Sequence, residues 1–193
     1  MLLAALVQGG LTASWDLSGL REAGRLRTPI LSSVMQVVSF LGSGNTLFPT
    51  GLAFGAWFWR RRSPRVGAFY LGTTVSGWWF YILLKFLFAR PRPTLISHLD
   101  SAGWWSFPSG HAMGSTMVLG LGTILLVERF RSRAAAGWMR LLVTGLIVAI
   151  AGSRVYLGVH YPSDVAAGLL AGGAWIAGAL AAFRGESKLA SNG

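Results

Sequence analysis

Uncharged apolar runs fill most of this chain, and several are close to the length that crosses a bilayer. Traversing ~30 Å of hydrocarbon as helix takes ~20 residues. Residues 66–84 make the clearest run; 165–183, 112–127 and 141–152 follow, the last extended by a mixed stretch to 159. A water-soluble domain of 193 residues needs a charged surface, whereas here 53% of the residues are apolar and only six are acidic. The pattern reads as an all-α, polytopic integral membrane bundle with five to six transmembrane helices, one domain over residues 1–193.

The runs are separated by recognisable breaks. Residues 1–13 are apolar but too short to span, and they lack the basic leader of a signal peptide, so they read as a short first membrane helix. Residues 15–27 mix Leu17, Leu20 and Leu26 with Arg21, Glu22, Arg25 and Arg27, a pattern suited to a helix lying in the interface plane. Gly42, Ser43, Gly44 and Asn45 interrupt the next stretch and Pro49 follows. A half-depth helix over 30–41 is therefore expected, with a span starting near Thr46. Residues 1–45 then hold the short and interfacial helices, and 46–183 the main bundle.

The net charge is +11. The arginines stand at the ends of apolar runs rather than among polar aromatic stretches, which points to anionic lipid headgroups and away from nucleic acid. Basic residues in short loops collect on the cytoplasmic side. Arg60, Arg61, Arg62 and Arg65, then Arg129, Arg131, Arg133 and Arg140, then Arg184 and Lys188 all fall on one side if 66–88, 111–127, 141–157 and 164–183 each cross once. The same parity gathers 85–93, 108–111 and 153–164 at the opposite, extracytoplasmic end of a plasma-membrane protein. Arg21, Arg25 and Arg27 fall there too, against the rule. Gly168 and Gly172 have the spacing that lets a membrane helix approach a neighbour closely, here within the monomer.

Those three stretches hold the chemistry. A Lys, Arg or Asp at membrane depth costs roughly 2.5–3.5 kcal/mol on insertion scales, so such residues usually face a polar cavity. Lys85 follows nineteen uncharged residues and Arg154 thirteen. One such residue reads equally well as snorkelling to the headgroups; a set repeated at three helix ends does not. Pro108, Ser109 and Gly110 precede a helix beginning near His111, where free amides bind anions and serine is a favoured cap. His160 and Asp164 are four apart across a loop-to-helix boundary marked by Pro162. A carboxylate on one ring nitrogen fixes the tautomer and leaves the other free to attack, the plainer alternative being that Asp164 only caps its helix. His98 and Asp100 read as solvated loop residues, and Trp104, Trp105 and Phe107 as interface aromatics.

Lys85, Arg92 and Pro93; then Pro108, Ser109, Gly110 and His111; then Ser153, Arg154, His160 and Asp164 resemble the three-part signature of the type 2 phosphatidic acid phosphatase superfamily, in order and at full spacing. The similarity covers about residues 66–183 and points to the bacterial membrane branch. It implies metal-independent hydrolysis of a terminal phosphate on a membrane lipid phosphate or pyrophosphate. In that resemblance His160 is the nucleophile, passing through a phosphohistidine, with Asp164 behind it and His111 as acid and then base. Lys85, Arg92, Arg154, Ser109 and Gly110 would hold the phosphate, with Arg90 and Ser153 as assisting groups. No cofactor or metal is implied, and the expected state is a monomer whose partners are the bilayer and its substrate. Two alternatives stay open: a metal-dependent hydrolase built on His111, His160 and Asp164, and a membrane protein that binds lipid phosphate without turnover.

Overall fold

The computed structural model describes residue 7 and residues 9–191, with side chains given through residue 185. Most of the expected short first helix, residues 1–13, lies outside the described residues. Those described form seven helices and no strand: α1 (Ala13–Arg25), α2 (Pro29–Leu41), α3 (Gly44–Arg61), α4 (Pro64–Phe88), α5 (Gly110–Val127), α6 (Arg133–Tyr156) and α7 (Pro162–Ser191). Helices suit hydrocarbon because each satisfies its own backbone polar groups. Four of them, α4 to α7, are long and apolar enough to cross a membrane.

Helix starts are written locally. Thr28, Ser63 and Ser132 each accept a hydrogen bond from the backbone amide three residues on, satisfying an otherwise orphan donor. Pro29 and Pro64 occupy first-turn positions that need no N–H. Ser63 and Pro64 thus begin α4 two residues before the apolar run itself. The break at Gly42 and Ser43 separates α2 from α3 as expected, but α3 starts at Gly44, and Pro49 is accommodated inside it. Asn45, Pro49, Arg60 and Arg61 keep α3 below the apolarity of the four spans, although its 18 residues would reach ~27 Å.

The middle of the bundle is α5. It is 61% buried, against 17–28% for the other three spans. A π turn over Thr116–Gly120 interrupts it, and the Val118 carbonyl in that turn accepts from the Tyr70 hydroxyl at 3.0 Å. Tyr70 packs with Phe58, Leu121, Leu125 and Ile176 into a core that joins α3, α4, α5 and α7.

Charge pairs establish which helix ends share a face. Glu128 lies between Arg62 at 3.0 Å and Arg184 at 3.4 Å, so the basic turns after α3 and α5 and the end of α7 meet. The other ends, the C-termini of α4 and α6 and the N-termini of α5 and α7, gather opposite. There α1 packs on α6 and α7, and α2 runs along α6. Arg27, the misfit in the charge count, is a structural brace. Its guanidinium donates to the Tyr156 carbonyl at the end of α6 and to Ser97. Arg25 pairs in solvent with Glu22.

Close approach of α7 to α5 sets the geometry at the gathered ends. A Cβ at Gly168 would lie 2.7 Å from the Ser109 carbonyl oxygen, and one at Gly172 would lie 2.9 Å from Thr116 Cβ. The expected small-residue contact is therefore made within the monomer. Gly173, one position on, has nothing within 4 Å. Gly168→Ala should destabilise by about 1–3 kcal/mol through overpacking against rigid backbone, while Gly173→Ala should be neutral or stabilise by up to ~1 kcal/mol. Thermal melts of the two purified variants check this.

Candidate active site

Asp164 lies in the first turn of α7, is fully buried, and is the point at which the three sequence stretches meet. Its Oδ2 accepts from the Tyr161 amide at 2.9 Å, closing the start of its own helix, and from the Ser106 hydroxyl at 2.5 Å. Oδ1 accepts from Arg90 Nη1 at 2.5 Å. Its backbone carbonyl accepts from the Ser109 amide at 3.0 Å, which ties the start of α7 to the start of α5. Capping and imidazole contact are thus joint roles, since Oδ2 is also 3.5 Å from His160 Nδ1.

His160 follows a tight turn at the end of α6. The amides of Val159 and His160 both reach the Arg154 carbonyl, and Gly158 supplies φ +79°. A side chain there would strain the backbone and meet the Ser97 carbonyl at 2.8 Å. The imidazole is buried, with Nδ1 toward Asp164 and Ser106 and Nε2 3.3 Å from Arg92 Nη1. Burial pushes its pKa down to about 4, against the pull of Asp164 in the other direction. At neutral pH the ring is therefore uncharged, the state in which a nitrogen lone pair is available.

The charges of Arg92 and Arg154 act on that imidazole, and Lys85 and Arg90 lie at the same end of the bundle. Ala89, at φ 40°, ends α4 in the left-handed region and sends Arg90 and Arg92 across the bundle end. Arg92 donates to the carbonyls of Val159, Gly103 and Trp104 at 2.6, 2.6 and 3.1 Å. Burial and the neighbouring Arg154 charge hold Arg92 below the ordinary arginine range, as expected where like charges crowd. Lys85 is buried, bonded to the Trp105 carbonyl and 5.3 Å from the Tyr81 ring centroid, so it points inward rather than snorkelling. Arg154 is buried against Ser39 and Asp100. His111 opens α5 within electrostatic reach of Arg154, His160, Asp100 and Arg92.

Two buried polar atoms at this point have no protein partner among the described residues: Ser109 Oγ and Arg154 Nε. Ser109 holds the N-cap position of α5, yet its hydroxyl makes no cap bond. Unpaired buried donors are costly and invite a ligand. Gly110 brings the backbone close, since a Cβ there would sit 2.6 Å from the Tyr81 hydroxyl. The arrangement can grip an oxyanion between the α5 N-terminus and the arginines while a neutral imidazole faces it. Among the described residues, no three His, Cys, Asp or Glu side chains are grouped to hold a metal ion.

Asp100 is not the solvated loop residue expected from sequence: partial burial works against its charge, but Arg154 wins and holds its carboxyl below the usual range. Ser153 is fully buried and donates to the Ile150 carbonyl of its own helix at 2.7 Å. His98 braces its loop, 2.7 Å from the Pro93 carbonyl. Sequence reasoning missed Ser106, Ser39 and Asp16, all buried and all bonded to residues in or beside the motifs. For Ser106, two residues before Pro108, proximity to a motif was the available signal.

The model of the PAP2 superfamily matches residues 65–188. The chain belongs to the PAP2 superfamily. It is 30% identical over 173 residues to phosphatidylglycerophosphatase B of Bacillus subtilis, covering 89% of this chain and 85% of that one. It is also 33% identical over 122 residues to undecaprenyl-diphosphatase BcrC of the same organism, covering 59% and 56%. The crystal structure of a transmembrane PAP2-type phosphatidylglycerolphosphate phosphatase from Bacillus subtilis superimposes with TM-score 0.84 at 26% identity, over 97% of this chain and 91% of that one. This PAP2 chain is thus an integral membrane protein of the phosphatase class.

The burial of His160 has a direct consequence. Its imidazole should titrate near pH 4 rather than near 6.5, which nitrogen-15 histidine spectra assigned with His160→Gln would show; titration at the ordinary histidine value contradicts the buried geometry.

Proposed function

We propose that this PAP2 protein is a metal-independent lipid phosphate phosphatase that removes the terminal phosphate of a membrane lipid phosphate or pyrophosphate through a phosphohistidine. The observation that carries the reading is the coincidence of a neutral imidazole backed by a buried carboxylate with crowded cations and two unpartnered buried donors at one place. Phosphoryl transfer asks chiefly for positioning and charge stabilisation, and such a cradle supplies both.

In this reading His160 Nε2 attacks phosphorus and the bond to the leaving oxygen breaks. His111, protonated once the negative charge of a bound phosphate lies beside it, gives that proton to the leaving oxygen. Asp164 keeps the Nδ1 proton in place and balances the charge that His160 acquires. Arg92, Arg154, Lys85, Ser109 Oγ and the amides around Gly110 hold the three equatorial oxygens. His111, now neutral, takes a proton from water, which attacks phosphorus, releases phosphate and restores His160.

A lipid rather than a soluble phosphate is favoured by an apolar cleft of about 270 Å³ between α3, α4 and α5, lined by Leu47, Phe48, Trp79, Met117 and Val118. Trp78 borders both this cleft and a second cavity of about 300 Å³ containing Tyr81, Lys85 and Trp104. A tail in the first would leave the headgroup beside the cations. Phosphatidylglycerophosphate, phosphatidic acid and undecaprenyl pyrophosphate all present the terminal group this site fits. With α3 counted as a span the described bundle has five crossings. The basic turns then face the cytoplasm and the site opens outside the plasma membrane.

A panel of these lipids in detergent with excess chelator, wild type beside variants, tests the proposal. Phosphate release should persist in chelator, disappear in His160→Ala, and fall on the order of 10²–10³ in Arg154→Ala, by comparison with other oxyanion donors. Loss of activity in chelator, restored by a divalent ion, would instead favour a metal-dependent hydrolase.

A further inference from the structure

Helix α1 contributes no group to the cation cluster, yet its Asp16 is almost completely buried at 1% exposure. Both of its oxygens are engaged. Oδ1 accepts from the Ser163 amide at 2.8 Å; Oδ2 accepts from Arg90 Nη2 at 2.7 Å, Ser163 Oγ at 2.7 Å and Thr12 Oγ1 at 3.0 Å. The Ser163 amide is one of the free donors in the first turn of α7. Asp16 therefore caps, from 147 residues away, the helix that carries Asp164.

Arg90 joins the two carboxylates. Nη2 donates to Asp16 while Nη1 donates to Asp164 Oδ1 at 2.5 Å and to Ser163 Oγ at 2.8 Å, and the guanidinium stacks 4.0 Å over the Tyr161 ring. Partial burial works against its charge, but Asp164 and Asp16 together raise Arg90 above the ordinary arginine value. Fixing Oδ1 of Asp164 leaves Oδ2 for Ser106, the Tyr161 amide and His160.

We infer that Asp16 is a positioning residue for catalysis, acting through Arg90 and Ser163 on the carboxylate behind His160; this rests on the reading of His160 as nucleophile. An arginine paired with Asp164 alone would neutralise the carboxylate that must stabilise the charged imidazole. A second carboxylate on the opposite edge of the guanidinium leaves the trio with one net negative charge. Asp16 thus preserves the negative charge facing His160 and locks its direction. The requirement explains why a polar interfacial helix is docked on the end of the bundle.

Turnover of phosphatidic acid micelles by full-length protein tests the inference, with kcat divided by the burst amplitude so that each functional site is counted. Asp16→Asn should lower kcat per site by ~10–100-fold, the usual effect of removing an outer hydrogen-bond partner, with KM changed less than about twofold. Asp16→Glu should recover part of the loss. Arg90→Lys, which keeps the charge but loses the fork between two carboxylates, should fall similarly, and this variant decides the matter should Asp16→Asn not fold. Asp16→Asn combined with Arg90→Gln should lose no more than Arg90→Gln alone, because the two act as one unit. A purely structural anchor would lower the burst amplitude and melting temperature and leave kcat per site unchanged; that result, or losses that multiply, overturns the inference. Absence of turnover in wild type, or full turnover in His160→Ala, would defeat the phosphatase reading itself and the inference with it.

Discussion

A carboxylate removed from water must be surrounded by donors, and the end of this bundle is organised around meeting that requirement for Asp164. Its two oxygens and its carbonyl draw in Arg90 from the end of α4, Ser106 and Ser109 from the approach to α5, and Tyr161 from its own helix. Removing one partner from a buried ionic network leaves uncompensated charge at a cost of several kcal/mol. The network consequently holds the helix ends in register, and the imidazole beside it inherits a fixed position. The cations are ordered in the same way: Arg92 by loop carbonyls, Lys85 by the Trp105 carbonyl, Arg154 by Ser39 and Asp100.

The bundle has two unlike ends. At one, Glu128 gathers a partly buried Arg62, which also donates to the Leu125 carbonyl, and a solvent-exposed Arg184. At the other, arginines and carboxylates are buried, and the connecting loops are held by hydrogen bonds to them. Between the two, α5 packs against α3, α4, α6 and α7, while glycines in α7 let the backbones approach closely enough to fix the Ser109 turn. Stability and site geometry therefore share residues, and Gly168 belongs to both.

Much of this was legible in the amino-acid order. Apolar run lengths located α4 to α7, and parity of the basic turns gathered the three motifs at one end, because both follow from the cost of charge in hydrocarbon. Lys85, Arg92, Ser109, Arg154, His160 and Asp164 were recognisable as a set by their resemblance to the three-part signature of the superfamily. Asp16 and Asp100 were not, since one acidic residue in a polar helix or loop carries no period, and its partner lies 147 or 54 residues away. The partner of Ser153 was not legible, because a serine beside a motif arginine looks the same in sequence whatever its hydroxyl reaches, here the Ile150 carbonyl of its own helix. The π turn in α5 left no mark either, its residues being as apolar as their neighbours.

The proposed mechanism turns on a covalent bond between His160 and phosphorus. Brief reaction with phosphorus-32-labelled lipid, quenched in alkali, which spares phosphohistidine, and followed by peptide mapping tests it most directly. Label should be found on His160 alone, forming and decaying at rates that support steady-state turnover, and should be absent from His160→Ala. Steady hydrolysis with no labelled protein, or label carried by His111 or by any other residue, would contradict it.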